Sequence, residues 1–313
     1  KGCAIVCVVL GHIVDGYYKS NLFPEYNESF WKIFVTIYSF HMALFFIASG
    51  YLYGIVYIKD KIDTSKIFRQ IKKLLYVYFV WCILMWGVKF AFGKWANSDV
   101  QFKDLLLIPI KAIEPYWYLY VLIAFYLLFS NFWVQKAGWK RVLLVLGVIS
   151  IGASWMPIVH WFEITKLLYF SFFFYFGKCL SQKEVTLNKL VVIFGLISVC
   201  IALMNYPKQI DRIGGISWLC AFGISITIFW IFQVNNDICK KSRALKLFGK
   251  YSLEIYVMHC FFTAPLRVLL YKLNISFIPI NIGANLLLSV ITPIILSVVM
   301  KKLKVYGLIF AGK

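Results

Sequence analysis

Three polar side chains fall on one face of the first apolar stretch of this chain: Lys1, His12 and Asp15. At roughly 100° per residue, Lys1 and His12 come to rest about 20° apart around a helix, and Asp15 lies about 60° from His12. The same helix sets His12 about 16 Å deeper than Lys1. A titratable group at mid-membrane depth costs about 2.5–3.5 kcal/mol, so it needs a partner or a purpose. One reading is a histidine that only hydrogen-bonds a neighbouring helix. The other is a general base, with the Asp15 carboxylate one turn away to fix its tautomer and stabilise the imidazolium.

Two more histidines reach a similar depth, His41 in the second apolar stretch and His259 in a later one that also carries Glu254. Three imidazoles near one level, on helices able to pack together, suggest a buried polar chamber. They lack the i,i+4 pairing and carboxylate support of a zinc helix, so no metal is expected. A basic cluster, Arg69, Lys72 and Lys73, precedes the third stretch. It reads either as a membrane anchor or as a clamp for the phosphates of a cofactor. Trp117 and Tyr118 read as a sugar-stacking pair or as part of an interfacial aromatic belt.

The elements that carry these residues are set by composition. Of 313 residues, 62% are hydrophobic and only 15% charged, and the mean hydropathy is +0.79. A soluble domain of this content would have too little polar surface, whereas apolar runs of about 20 residues each cross a bilayer. Ten spans can be drawn: 1–19, 31–57, 71–93, 116–135, 139–155, 164–181, 188–206, 213–234, 251–273 and 281–301. The expected fold is therefore all-α, a polytopic integral membrane protein with about ten transmembrane helices in one domain over 1–313. Pro265 and Pro293 fall inside spans and are expected to kink them.

The formal charge of +20 comes from Lys and Arg between the apolar runs, which is the pattern of the positive-inside rule and not of nucleic-acid binding. With the N-terminus in the cytoplasm, about two thirds of the 33 Lys and Arg fall on the cytoplasmic side, so both termini are expected there. The eight cysteines are scattered with no CxxC pair, which argues against disulfides and zinc. The first stretch has a short apolar run after a lysine but no small-residue cleavage site, so it reads as a retained helix. The chain opens without methionine, and further residues upstream are expected.

Taken together, these segments resemble the acyltransferase-3 family of membrane acyltransferases, and within it the shorter sugar O-acetylases of the fucose O-acetylase type. The resemblance rests on Lys1-Gly2-Cys3-Ala4-Ile5-Val6 leading to Gly11-His12, and on Phe40-His41-Met42 through Ser49-Gly50-Tyr51-Leu52. It continues in Arg69 with Lys72, Tyr116-Trp117-Tyr118-Leu119, and Gly249-Lys250-Tyr251-Ser252-Leu253 through His259. It implies a ten-helix fold that moves an acyl group, usually acetyl from acetyl-CoA, to a carbohydrate hydroxyl. By the resemblance His12 is the base, and Lys1 and Arg69 belong to the coenzyme-binding end. The residues themselves add the expectation that Asp15 orients His12, that Lys72 and Lys73 join Arg69 at the coenzyme, and that His41, Trp117, Glu254 and His259 face the acceptor.

Lysines at positions 1 and 72 replace the family's usual arginines, keeping charge but losing bidentate geometry. Some members of that family carry an extra extracellular catalytic domain; here transfer is expected to be direct or to use a separate protein. The expected partners are a polysaccharide or lipid-linked sugar and membrane lipid, in the plasma or inner membrane. The rival class is a transporter or flippase for a lipid-linked glycan. No repeated halves and no paired broken helices support it.

Overall fold

In the computed structural model, the structure describes residues 1–58, 63–96, 100–131, 134, 136–204, 215–235, 241–275 and 277–311. The principal helices are α1 (Gly2–Ser20), α2 (Asn27–Tyr57), α3 (Thr64–Ala96), α4 (Phe102–Leu106), α5 (Trp117–Phe129), α6 (Trp139–Ala153) and α7 (Ile164–Ser181). They continue as α8 (Leu190–Met204), α9 (Gly215–Val234), α10 (Arg243–Lys250), α11 (Ser252–Lys272), α12 (Ile278–Lys302) and α13 (Gly307–Phe310). No strand occurs among the described residues.

Each of the ten expected spans coincides with one of these helices, and Pro265 and Pro293 do lie inside α11 and α12. Six stretches are long and apolar enough to cross a membrane: Gly2–Ser20, Pro24–Tyr57, Thr64–Ala91, Gly215–Val234, Ser252–Lys272 and Ile278–Lys302. The other four fall short for physical reasons. At 1.5 Å per residue, 13- to 15-residue helices such as α5, α6 and α8 extend only about 20–23 Å, against roughly 30 Å of hydrocarbon. α7 has 18 residues but includes Lys166 and Lys178.

Large apolar side chains cover much of the surface, and a set of polar groups is buried within the apolar core, as expected of a protein solvated by lipid. Leu144 on α6 is 71% exposed and Leu196 on α8 is 61% exposed, while Ser150, Ser198, Ser225, Asn281, Asn285, Ser289 and Ser297 are buried. These buried groups bind across or along helices. Tyr17 donates to the Asn281 side chain, Asn285 donates to the Thr263 carbonyl at 3.1 Å, and Ser225 donates to the Phe40 carbonyl at 3.2 Å.

α1 and α2 form the centre. α1 packs on α2, α10, α11 and α12, and α2 packs on α7, α8 and α9. The α2–α7 crossing is close because glycine faces backbone from both sides. A Cβ at Gly50 would lie 1.8 Å from the Phe174 carbonyl oxygen, and one at Gly177 would lie 2.1 Å from that of Ile47. The crossing holds the His41 helix in place beside α1.

Candidate active site

His12 stands midway along α1, half-buried, and helices α2 and α11 bring the other two deep histidines to it. The His12 and His259 ring centroids are 5.0 Å apart. Tyr38 bridges the third, with its ring 6.2 Å from His12 and 4.6 Å from His41. Tyr38 and His41 sit three residues apart on one face of α2, a spacing legible in the sequence but not singled out above.

Backbone carbonyls fix two of the tautomers. His41 Nδ1–H donates to the Ile37 carbonyl at 2.8 Å, and His259 Nδ1–H donates to the carbonyls of Tyr256 at 2.7 Å and Ile255 at 3.1 Å. A carbonyl can only accept, so in each neutral ring Nε2 keeps the lone pair. That lone pair can accept a proton or a hydrogen bond, or bind a cation; at His259 it faces the Cys260 thiol, 3.2 Å away.

His12, His41, Asp15, Trp117, Lys166 and Tyr256 are among the residues lining a cavity of about 590 Å³ toward the Lys19 end of α1. It mixes aromatic rings with charges. Lys166 pairs with Glu163 at 2.9 Å and Glu114 at 3.3 Å, and its ammonium lies 4.5 Å from the Trp117 ring centroid. Trp117 also stacks on Phe170. In this network Glu163 and Lys166 stand at i,i+3, a spacing legible in the sequence but not singled out above, whereas Glu114 comes from a separate segment that no spacing joins to them.

Asp15 lines the same cavity, but its carboxylate accepts from Lys19 Nζ at 2.8 Å, one turn further along α1. Among the described hydrogen bonds none joins Asp15 to His12. The shared face foreseen from helical arithmetic is present, and the carboxylate's partner on it is a lysine.

A second cavity, of about 680 Å³, opens at the Lys1 end between α1, α2, α9 and α10; Lys1, Tyr51, Phe229, Gln233 and Lys246 help line it. A third, of about 90 Å³, shares Lys1 with the second cavity and Tyr256 with the first. Phe45, Tyr118 and Tyr256 cluster at this junction, with centroids 4.7 Å (Phe45–Tyr118) and 5.2 Å (Tyr118–Tyr256) apart. Ser49 and Tyr118 share a hydrogen bond of 2.6 Å, and Tyr256 donates to the Pro115 carbonyl. The aromatic trio thus separates two compartments that meet near the middle of α1.

The basic cluster lies at the start of α3. Arg69 and Lys72 are exposed and Lys73 is half-buried, while their neighbours Gln70 and Leu74 line the small cavity with Lys1. Glu254 is separate from the acceptor-side residues with which it was grouped. It begins α11 at the Lys1 end, is buried, and accepts from the Tyr306 hydroxyl at 2.7 Å. His259, grouped with it, stands beside His12.

Comparison with known proteins agrees with the residue pattern. The acyltransferase domain model of the acyltransferase-3 family matches residues 1–300. The nodulation protein NolL of Mesorhizobium japonicum is 27% identical over 179 residues, which is 56% of this chain and 44% of NolL. NolL of Sinorhizobium fredii is 26% identical over 218 residues, 67% of this chain and 56% of that protein. YfiQ of Bacillus subtilis, assigned by its name to the membrane-bound acyltransferases, is 28% identical over 227 residues, 63% of this chain and 60% of YfiQ. The chain thus spans roughly half the length of the curated relatives it matches. No solved structure matches it significantly. With a family match over residues 1–300, the chain belongs to the acyltransferase-3 family of membrane acyltransferases.

Proposed function

We propose that the protein moves an acyl group, acetyl in the simplest case, from acyl-CoA to a hydroxyl of a cell-surface carbohydrate or its lipid-linked precursor. The observation that carries this reading is the pair of cavities at opposite ends of α1: His12 lines one and Lys1 the other, and along α1 they come within about one turn of each other, between Ala4 and Val8. The Lys1 end, with Lys246 in its cavity and Arg69, Lys72 and Lys73 on α3, suits an anionic coenzyme in the cytoplasm. The opposite cavity, with Trp117, Tyr169 and paired charges, suits a sugar, which offers both apolar ring faces and hydroxyls.

In the reaction, His12 takes the proton of the acceptor hydroxyl while its oxygen attacks the thioester carbonyl. The tetrahedral intermediate collapses with cleavage of the C–S bond. The departing thiolate recovers the proton from His12, leaving an ester and free thiol. His41, which lines the cavity with a lone pair at Nε2, accepts a hydrogen bond from a neighbouring sugar hydroxyl, and His259 supports His12 from behind. Asp15 acts at a distance, holding Lys19 at the rim of the cavity.

In this reading the chain is one membrane-embedded unit of the plasma or inner membrane, with both termini cytoplasmic. Family membership favours group transfer over glycan transport. Sealed vesicles of opposite orientation test the sidedness. Inside-out vesicles should use acyl-CoA added from outside, and right-side-out vesicles should not. Equal use by both would contradict a cytoplasmic donor site.

A further inference from the structure

His12, the base of the proposed transfer, also belongs to a set of three potential metal-ligand atoms. His12, His259 and Cys260 each offer one ligating atom, and the three atoms all lie within 4.8 Å of one another. His259 is oriented for the task, since the carbonyls of Tyr256 and Ile255 hold its Nδ1–H, and its Nε2 lies 3.2 Å from Cys260 Sγ. A carbonyl behind the far ring nitrogen is the support that metal-binding imidazoles characteristically have. Two imidazoles and a thiol form a borderline-to-soft set, suited to zinc and its relatives and unsuited to magnesium or calcium.

Dimensions are compatible. With metal–nitrogen bonds of about 2.0–2.1 Å and metal–sulfur bonds of about 2.3 Å, ligand atoms in a tetrahedral site lie roughly 3.3–3.6 Å apart. The cluster reaches that spacing by about 1 Å of closure, within the range of small side-chain rotations. His12 is on the wall of the 590 Å³ cavity, which supplies a route for the ion and a place for a water as fourth ligand.

We propose that His12, His259 and Cys260 form a binding site for zinc or a similar soft cation, and that its occupation switches the enzyme off. Binding displaces the Cys260 thiol proton to solvent and ties up the lone pair of His12. The inhibitory half rests on His12 being the base of acyl transfer; the binding half rests on the cluster alone.

Cobalt separates the two. The full chain, purified in detergent and stripped with a chelator, is titrated with Co²⁺ while thiolate-to-metal charge transfer is followed in the near ultraviolet. The band should form in wild type and in the Cys3→Ser/Cys7→Ser double variant, disappear in Cys260→Ser, and need at least about tenfold more metal in His12→Ala. Serine keeps the size of Cys260 and a hydrogen-bond donor toward His259, and an unchanged melting temperature confirms that the variant is folded. A wild-type protein with no such band, or a band that survives in Cys260→Ser, overturns the site.

In a transfer assay, Zn²⁺ should inhibit wild type, and Cys260→Ser, active without metal, should need at least about tenfold more for the same effect. Equal inhibition of the two overturns the regulatory role. A protein that forms the band but never transfers an acyl group instead refutes the acyl-transfer reading and leaves the metal site standing.

Discussion

His12 draws its chemistry from its neighbours. A lone imidazole facing lipid would be a cost without return. Here it borders a cavity large enough for a sugar and packs beside His259 at 5.0 Å. Helical arithmetic set Lys1, His12 and Asp15 on one face but passed over Lys19, which at i,i+4 from Asp15 is the carboxylate's partner. It also could not see that the face runs past an aromatic junction, so that Lys1 and His12 open into different compartments. Trp117 gives a prediction at this scale. Its ring lines the acceptor cavity, and losing about 1 kcal/mol of aromatic contact should raise KM for the acceptor about fivefold in Trp117→Ala, with kcat little changed. Steady-state kinetics at saturating donor would show this, and a fall in kcat alone would place Trp117 outside acceptor binding.

Among the elements, α2 and α7 should be the least tolerant of substitution. Gly177 meets the Ile47 carbonyl and Gly50 meets that of Phe174, so any larger side chain must push two backbones apart. Gly177→Leu should destabilise by at least about 1–3 kcal/mol, seen as a lower melting temperature in detergent, while Gly152→Leu, where a Cβ meets nothing within 4 Å, should be nearly neutral. The start of α3 responds to acid instead. Asp63, in the loop before the helix, accepts from the Lys66 backbone N–H and the Ser65 hydroxyl and pairs with the Lys66 ammonium, which together hold its carboxyl well below the usual carboxylate range. Its folded pKa is depressed, so its stabilising effect is complete above the ordinary value of about 3.9 and is lost as pH falls through the folded one. Amide exchange corrected for intrinsic rates should therefore speed up in the first turn of α3 in acid below that value. Asp63→Ala should show the faster exchange already at neutral pH.

At the scale of the whole molecule, the positions of the ten apolar segments were legible because hydropathy alone determines them, and each became a helix. Whether every one reaches across the bilayer was not legible. The lengths of α5, α6 and α8 depend on where neighbouring helices and loops let them end. The meeting of His12, His41 and His259 was readable only as shared depth, since contact between α1, α2 and α11 is a matter of tertiary packing. The contact of Glu114 with Lys166 was invisible for the same reason, although Glu163 and Lys166 are an i,i+3 pair that the sequence does show. If the two cavities do face opposite sides of the membrane, Lys19→Cys should react with an impermeant maleimide on intact cells. Lys246→Cys should react only after permeabilisation, and the reverse pattern would invert the proposed orientation. The most direct test of the central claim is acyl transfer itself: labelled acetyl-CoA supplied to membranes, with label followed into surface carbohydrate. The account predicts transfer by wild type and a loss of at least about 10²-fold in folded His12→Ala; undiminished transfer by that variant would contradict it.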